Sequence, residues 1–551
     1  MRGLRLIAAA LGCWLAVGGA VQAAESKEDK LSSDQTQQQY TRKSITFVGT
    51  EVERGLRVPD DARQAIERAI RKQIELKRFD YNDVDIDKFG SIDAFIEALR
   101  EYVRQRSQDR AAAEAEMDSR FKEARVYASD IDRIMESAYL YQIEIFVYRV
   151  KGMICPFDAA TAARLECTPG VAGIKAVVNA KVHFYKADLS GQGGKGYSLL
   201  RTLKDTPAKG FTPFADQPPP KPRRPKLPPG ASAEAKRRAS ENYQRALAEW
   251  RKAVRVYERR LPELEQRTRA KAVAKALSGR LGLAKRLATA MKRIPAFQLK
   301  SPVTAALSDG VEFMLGADDG LELDDTYEVA EFDQAGERSR SGWVKVRDVG
   351  AAKGSGEGTP SYAEKVSVSR SFAGGEQLFE YPMLKVDVGL HGVFEFTTGN
   401  LTDPDEDGFG LYPGAGMYLL YDMAPTFGWP EFWVGIEGDY LAVGETATGE
   451  AVSLIHAMVS LRKKWYINSF VFALGLRGGI SYYATDEDDQ GDTLIGGGGD
   501  LVLGIEYYVH PRFSVYLNAA GRFFTNPLTF VNADANQEMG AQANLGIRLG
   551  L

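Results

Sequence analysis

From Phe379 onward, apolar and polar residues alternate in runs of ten or more positions. In the first run Leu384, Val386, Val388, Leu390, Phe394 and Phe396 share one face, and Lys385, Asp387, His391 and Glu395 share the other. Six similar runs follow, for example Phe470/Phe472/Leu474/Leu476/Ile480 set against Arg477/Ser481. The chain closes on EMGAQANLGIRLGL, where every odd residue from Met539 to Leu551 is apolar. A period of two is the mark of a strand with unlike faces. Eight such runs make an even number, as a single-chain bacterial membrane barrel requires.

The connections between runs alternate in length. Longer ones fall near 397–408, 442–450, 484–493 and 525–537, and Val509-His510-Pro511-Arg512 is a tight turn. Aromatics gather at both ends of the strands. Tyr421, Trp429, Phe432, Trp433, Trp465, Tyr466, Tyr507 and Phe513 fall at one end. Phe394, Phe396, Phe409, Tyr440, Tyr482, Tyr483, Phe523 and Phe524 fall at the other. Two aromatic girdles fit a wall that crosses a bilayer. Residues 380–551 therefore resemble the eight-stranded OmpA/OmpX-type outer-membrane barrels, although the chain ends on Leu551 where such barrels end on an aromatic. The lumen is then expected to hold Lys385, Asp387, Glu437, Asp439, Arg477, Asp500, Glu506, Arg522 and Arg548. Eight strands leave room for side chains but hardly for a pore, and buried charges must pair.

The first half has a different texture. Ser44–Val48 and Tyr139–Val150 pattern as strands, as do Gly173–Tyr185 and Tyr197–Lys204. Asp60–Leu76 is an amphipathic helix with Ala62, Ile66, Ile70 and Ile74 on one face; Ser91–Arg106 and Ala111–Ala138 are also helical in pattern. This predicts an α/β domain over 44–212. Its order of elements, with Ser137-Ala138-Tyr139-Leu140-Tyr141-Gln142-Ile143 opening a strand, resembles the TolB-N/curli-secretion-lipoprotein class of periplasmic domains.

Residues 213–231 are a Pro-rich tract, expected as an extended linker. A basic helical pair is expected over 232–300, with Pro262 at a break or kink. Tyr243, Leu247, Trp250, Val254, Tyr257 and Leu261 recur at spacings of four and three, a seam that suits a hairpin or a coiled coil with a second copy. Tyr243, Trp250 and Tyr257 are the candidate interface anchors. Between 232 and 293 there are eighteen Lys and Arg and six acids. Residues 301–372 form a small β region. Its "GL…DxYxV" and "GWVKV" pieces, at Gly320–Val329 and Gly342–Val346, resemble the SH3-like β domain of the flagellar T-protein family, which implies a binding or packing module.

The chain opens with Arg2 and Arg5 before an apolar stretch from Leu6 to Val21, which reads as a secretory signal peptide over 1–23, followed by a disordered 24–43. Export makes Cys155 and Cys167 a candidate disulfide and excludes nucleic acid as a partner.

The four histidines, His183, His391, His456 and His510, match no zinc spacing, and no GxSxG or phosphate-binding loop occurs. Asp403, Asp405 and Asp407 repeat the first half of a calcium loop, but its twelfth position is Gly414, so only weak surface Ca²⁺ binding is expected and no other cofactor.

The fold class expected is multidomain: a periplasmic α/β domain with a helical hairpin and a small SH3-like β domain, then an eight-stranded antiparallel transmembrane β-barrel. The function expected is that of a non-enzymatic outer-membrane protein. Its barrel would anchor a periplasmic scaffold or accessory of an envelope assembly of secretion or motility type. The alternatives are a lipid-modifying barrel enzyme and an oligomeric channel component. The expected partners are outer-membrane lipid and periplasmic envelope proteins, with peptidoglycan and a second copy as further candidates.

Overall fold

The computed structural model describes residues 43–83, 88–89, 91–108, 139–156, 161–162, 167–187, 196–225, 232–278, 282–332, 337–351, 358–398, 409–445, 451–485, 494–524 and 538–551. The expected signal peptide, the helix at 111–138 and the calcium candidates Asp403, Asp405 and Asp407 lie outside the described residues.

The first body is a mixed sheet of β1 (Lys43–Val52), β2 (Phe79–Asp83), β3 (Tyr139–Ile154), β4 (Ala172–Ala187), β5 (Tyr197–Lys204) and β6 (Ala208–Pro213). Its order is β2-β1-β3-β4-β5, with β6 also paired to β4. Strand β1 runs parallel to β2 and β3, and the later strands pair antiparallel. Helix α1 (Asp60–Ile74) buries Ala62, Ile66, Ile70 and Ile74 on one face of the sheet. Two acids in its first turn and two bases in its last complement the helix dipole. Helix α2 (Ile92–Gln108) forms a separate core with Val48, Leu140 and Ala187, through Phe95, Ile96, Leu99 and Tyr102.

The expected helical pair is instead one continuous helix, α3 (Ala233–Leu277), of 45 residues, followed by the short α4 (Leu283–Met291). At 1.5 Å per residue α3 is about 67 Å long. Pro262 lies inside it without ending it. Pro262 lacks the N–H that Glu258's carbonyl would accept, but both residues are exposed, so water can satisfy that carbonyl. On the inward side Leu261 and Leu264 pack on the sheet core and hold the helix across the proline. The last turns of α3, with Ala272, Val273, Ala276 and Leu277, lie in that core. They approach closely because residue 210 on β6 is glycine; a Cβ there would strike the backbone of Ala272 and Ala276.

The Pro-rich tract is not a free spacer. It doubles back along α3: Asp216 pairs with Arg260 at 2.6 Å, and Trp250 Nε1 donates to the Pro219 carbonyl at 3.0 Å. Lys221 sits over the Trp250 ring. The seam of Tyr243, Leu247, Trp250, Val254 and Tyr257 is half-buried. A polyproline segment has unsatisfied backbone carbonyls and a ridged apolar side, so it can cover an apolar helix stripe and accept from an indole at once.

The second body is a closed barrel of six strands: β7 (Lys300–Ala306), β8 (Gly310–Phe313), β9 (Thr326–Phe332), β10 (Arg338–Asp348), β11 (Ser361–Val368) and β12 (Gln377–Tyr381). Strand β12 lies beyond the expected boundary at 372. It joins β7 to β9 and so closes the ring.

The third body is a closed, antiparallel, eight-stranded barrel. It comprises β13 (Val386–Thr398), β14 (Phe409–Asp422), β15 (Phe432–Glu445), β16 (Ala451–Ile467), β17 (Phe470–Thr485), β18 (Leu494–His510), β19 (Phe513–Phe524) and β20 (Glu538–Gly550), with a short helix α5 (Ala424–Phe427) after β14. The closing pair runs from Asp387↔Gly550 to Thr397↔Gly540. Outward positions are exposed and apolar, among them Met417, Ile436, Val459, Leu476, Leu503, Leu517 and Leu545.

The structure bonds Cys155 to Cys167, with Cα atoms 5.9 Å apart, at the end of the β3–β4 hairpin. A bridge over so short a loop contributes about 2–3 kcal/mol. Denatured, unreduced protein lacking residues 1–23 is expected to show no free thiol on labelling; one reactive thiol per cysteine would refute the bond. Trp250→Ala is expected to free the proline tract, so that trypsin cuts after Arg223 several-fold faster while the unfolding midpoint of the large barrel stays unchanged.

Candidate functional site: the junction of two barrels

The large barrel presents its turns after β14, β16 and β18 to the small barrel. Glu431, in the turn before β15, is 2 % exposed and lies at the centre of this contact. Lys345 of β10 reaches across to it, with Nζ 2.6 Å from Oε1. Arg347 Nη1 lies 3.1 Å from the same oxygen and also pairs with Asp324 and Glu364. The other oxygen, Oε2, accepts from Trp433 Nε1 and Tyr466 OH, each at 3.0 Å. The Glu431 backbone N–H donates to Asp324 at 2.6 Å. Beside this centre Val366 of the small barrel packs with Tyr466, Val471 and Tyr508 of the large one. Trp343 and Tyr381 meet His510 edge-on, and Arg512 lies over Tyr381.

Backbone conformation marks the same place. Among the described residues four that are not glycine have positive φ: Asp324, Lys385, Glu431 and Asn468. Three of them carry the contacts just described or those of Lys385 below. Asn468 sits in the β16–β17 turn, beside Ser469, whose hydroxyl meets Ser367 of the small barrel at 3.3 Å. Left-handed backbone at a non-glycine residue costs about 1 kcal/mol or more and persists where surroundings over-determine it.

The electrostatics follow from burial and pairing. Burial pushes the Glu431 carboxyl up, but Lys345 and Arg347 outweigh it and hold it well below the usual carboxylate range. Asp324 goes the other way: burial and the adjacent Glu431 charge raise it.

Several expected site residues stand differently. Lys385 is not a lumen charge. It precedes β13, and its Nζ caps the Leu323 carbonyl at 2.7 Å and pairs with Asp325 at 2.9 Å. Trp433 and Tyr466 do not belong to the outer girdle. Each occupies the inward parity of its strand and is buried under Glu431. Tyr243, Trp250 and Tyr257 are half-buried, and Trp250 is engaged by the chain's own proline tract.

The remaining expected lumen charges meet inside the barrel. Asp387 takes Arg548 at 2.7 Å and Lys464 at 2.8 Å. Arg548 also bonds Glu506 at 2.5 Å. Arg477 joins Glu437 at 3.2 Å and Asp500 at 2.6 Å, and Arg462 also pairs with Glu437. Arg522 pairs with Glu395 and Asp500. Many of these pairs tie strands that are not neighbours, so they cross the lumen instead of lining it.

Two histidines stand within this lattice. His391 lies between Asp439, 2.9 Å away, and Tyr516 OH, 2.8 Å away. His456 lies between Ser481 and Glu395, at 2.7 Å and 3.4 Å. The second set has the residue types of a hydrolase triad, with a guanidinium added at the ring. Arg522 can only donate, and its Nη1 is 2.8 Å from His456 Nε2. Nε2 thus faces both Arg522 and the Glu395 carboxylate, so the tautomer decides whether the Nδ1 nitrogen donates to Ser481 or accepts from it. Among the described residues no group of three His, Cys, Asp or Glu could hold a metal ion.

No family model matches the chain, and no curated protein matches it. Some solved structures are similar to part of it. Neisserial surface protein A is 12% identical, with 30% of this chain and 97% of that one covered and a TM-score of 0.23. Ail, the attachment invasion locus protein of Yersinia pestis, is 11% identical over 30% and 97%, with a TM-score of 0.20. The outer membrane protease OmpT from Escherichia coli is 8% identical over 42% and 94%, with a TM-score of 0.15. The eight-stranded closure described here rests on this chain's own strand pairing.

Glu431→Ala leaves Lys345 and Arg347 buried without their carboxylate, which is expected to cost about 3–5 kcal/mol; Glu431→Gln, which keeps hydrogen bonds to Trp433 and Tyr466, should cost less. Because the folded-state value of Glu431 is depressed, its stabilisation is present above the ordinary carboxylate range and lost as pH falls through the depressed value. Unfolding in detergent should therefore show the wild-type advantage over Glu431→Gln at pH 7 and its shrinkage below about pH 4. A constant difference across that range would be the contrary result.

Proposed function

We propose that the chain is a non-enzymatic outer-membrane protein whose eight-stranded barrel anchors a periplasmic module, and that this module is a scaffold or accessory of an envelope assembly of secretion or motility type. The observation that carries the reading is the joining of a greasy-walled barrel to the rest of the chain by a buried, charge-paired junction. On β17 the exposed aromatics Phe472 and Tyr482 are ten residues apart. With a strand tilt of about 40° that is about 25 Å, the height of a lipid-facing band. Phe427 and Trp429, each 59% exposed, extend the band at the junction end, as interfacial anchors do.

The buried junction supports a scaffold more than a tethered domain. A barrel that merely anchors needs only a linker. Here Glu431 joins large barrel to small, and a second buried carboxylate, Glu380, joins small barrel to sheet: Arg78 Nη2 donates to it at 2.8 Å, and Lys292 lies 3.4 Å away. The module is thus held in one orientation to the membrane. The lumen, crossed by ion pairs, supports anchoring more than transport.

Full-length protein refolded in detergent should run with different mobility before and after boiling. Leu503→Arg, on the outer wall at mid-strand, should cost about 2–4 kcal/mol of barrel stability, read from the denaturant midpoint. A chain that is monodisperse in water without detergent would overturn the membrane reading. A correctly folded graft of residues 24–381, which keeps β12 and Glu380, on an unrelated flexible anchor should lose function if orientation matters, and retained function would refute the rigid-scaffold role.

A further inference from the structure

We propose that the face of α3 turned away from the proline tract, built by Arg245, Lys252, Arg255 and Arg259, docks an extended carboxylate-bearing polymer of the cell wall. The inference rests on the envelope location proposed above. Its observations are the chain's own. At 100° per residue these four positions fall within about 80° of one another. The seam that carries Tyr243, Trp250 and Tyr257 lies on the opposite side. From Arg245 to Arg259 is fourteen steps along the chain, about 21 Å of helix. All four are exposed.

None of the four has an acidic partner among the described residues. Glu241 is engaged by Arg237 and Glu263 by Arg267; the nearer Glu249 and Glu258 flank the face on its two sides, about 80° and 100° from its middle, and form no ion pair with the four among the described residues. Elsewhere on the same helix Arg238 is matched by Glu234 and Arg260 by Asp216. The face formed by these four therefore carries no ion pair among the described residues. Unmatched like charges at three- and four-residue spacing destabilise a helix. The proline tract compensates by covering the seam and stiffening the arm, so the cations are presented on a rod fixed at its C-terminal end in the sheet core.

The chemistry of that face selects the occupant. Val256, 56% exposed, is the one large apolar side chain exposed among the described residues of α3. A protein interface wants a buried apolar or aromatic anchor at its centre, and a membrane-surface helix wants an apolar face beside its cations. Here the aromatics lie on the other side, under the tract. A second copy of the arm would set cation against cation. A hydrated polyanion needs neither anchor nor insertion. Three of the four are arginines, whose planar fork takes carboxylates in two parallel hydrogen bonds.

The test uses the full-length protein in detergent and purified peptidoglycan sacculi as the probe. Wild type should pellet with sacculi at 0.1 M salt, and binding should fall steeply as salt rises. R245Q/K252Q/R255Q/R259Q should bind at least tenfold more weakly, and amidating the sacculus carboxylates should abolish wild-type binding. Heat-modifiable mobility of the variant, and an unchanged rate of trypsin cutting after Arg223, will show that barrel and arm are folded. Absence of wild-type binding, equal binding by the variant, or retention on amidated sacculi would overturn the inference. So would tighter binding to vesicles containing phosphatidylglycerol, or self-association that the substitutions abolish. A barrel that fails the mobility assay in detergent refutes the membrane reading instead, and the two failures are read on separate gels.

Discussion

A carboxylate that is buried between two barrels must be paired from both. Glu431 meets that constraint with Lys345 and Arg347 from the small barrel and Trp433 and Tyr466 from the large one. Without the small barrel, its partners on that side are gone. Without Glu431, two cations lose their counter-charge in a place that water does not reach. The desolvation cost makes the contact all-or-none in orientation, because a slide of a few ångströms would leave charges buried and unpaired. Positive φ at Glu431, Asp324 and Lys385 is then a local cost borne by a contact that tolerates no alternative.

The same device recurs one body away. Glu380 sits on the last strand of the small barrel and takes Arg78 from the sheet and Lys292 from the segment after α4. Burial pushes its carboxyl up, and Arg78 and Lys292 outweigh that and hold it low. The lumen lattice is a third case, with acids and bases from adjacent and non-adjacent strands. The three bodies are thus joined in series through buried ion pairs. Such pairs add less net stability than packed hydrocarbon. What they supply is register, the fixed seating of one body on the next.

The arm obeys a different rule. Its root is apolar and lies in the sheet core. Its projecting part is stabilised by a polyproline strap over an aromatic seam, and its outer face is left to charge. Each face of one helix therefore has a separate task, set by which side chains fall on it.

Much of this was legible along the chain. Period-two alternation marked all eight strands of the large barrel, because a strand with lipid-like surroundings on one side and a filled lumen on the other has no freedom of parity. The face of α1 with Ala62, Ile66, Ile70 and Ile74 was equally plain, since helical spacing alone decides it. The junction was not legible. Glu431 and Asp324 are 107 residues apart, and nothing near either residue announces a partner. Trp433 and Tyr466 read as girdle aromatics because composition places aromatics at strand ends, whereas parity and the facing barrel turned them inward. Lys385 read as a lumen charge by extending the alternation one residue too far, and its left-handed backbone sends it to Asp325 instead. The proline tract read as a spacer, since no local signal says that an extended segment will return along a helix. Periodicity is a local property and is written in the sequence. Pairing across long separations depends on which surfaces meet, and only the tertiary structure decides that.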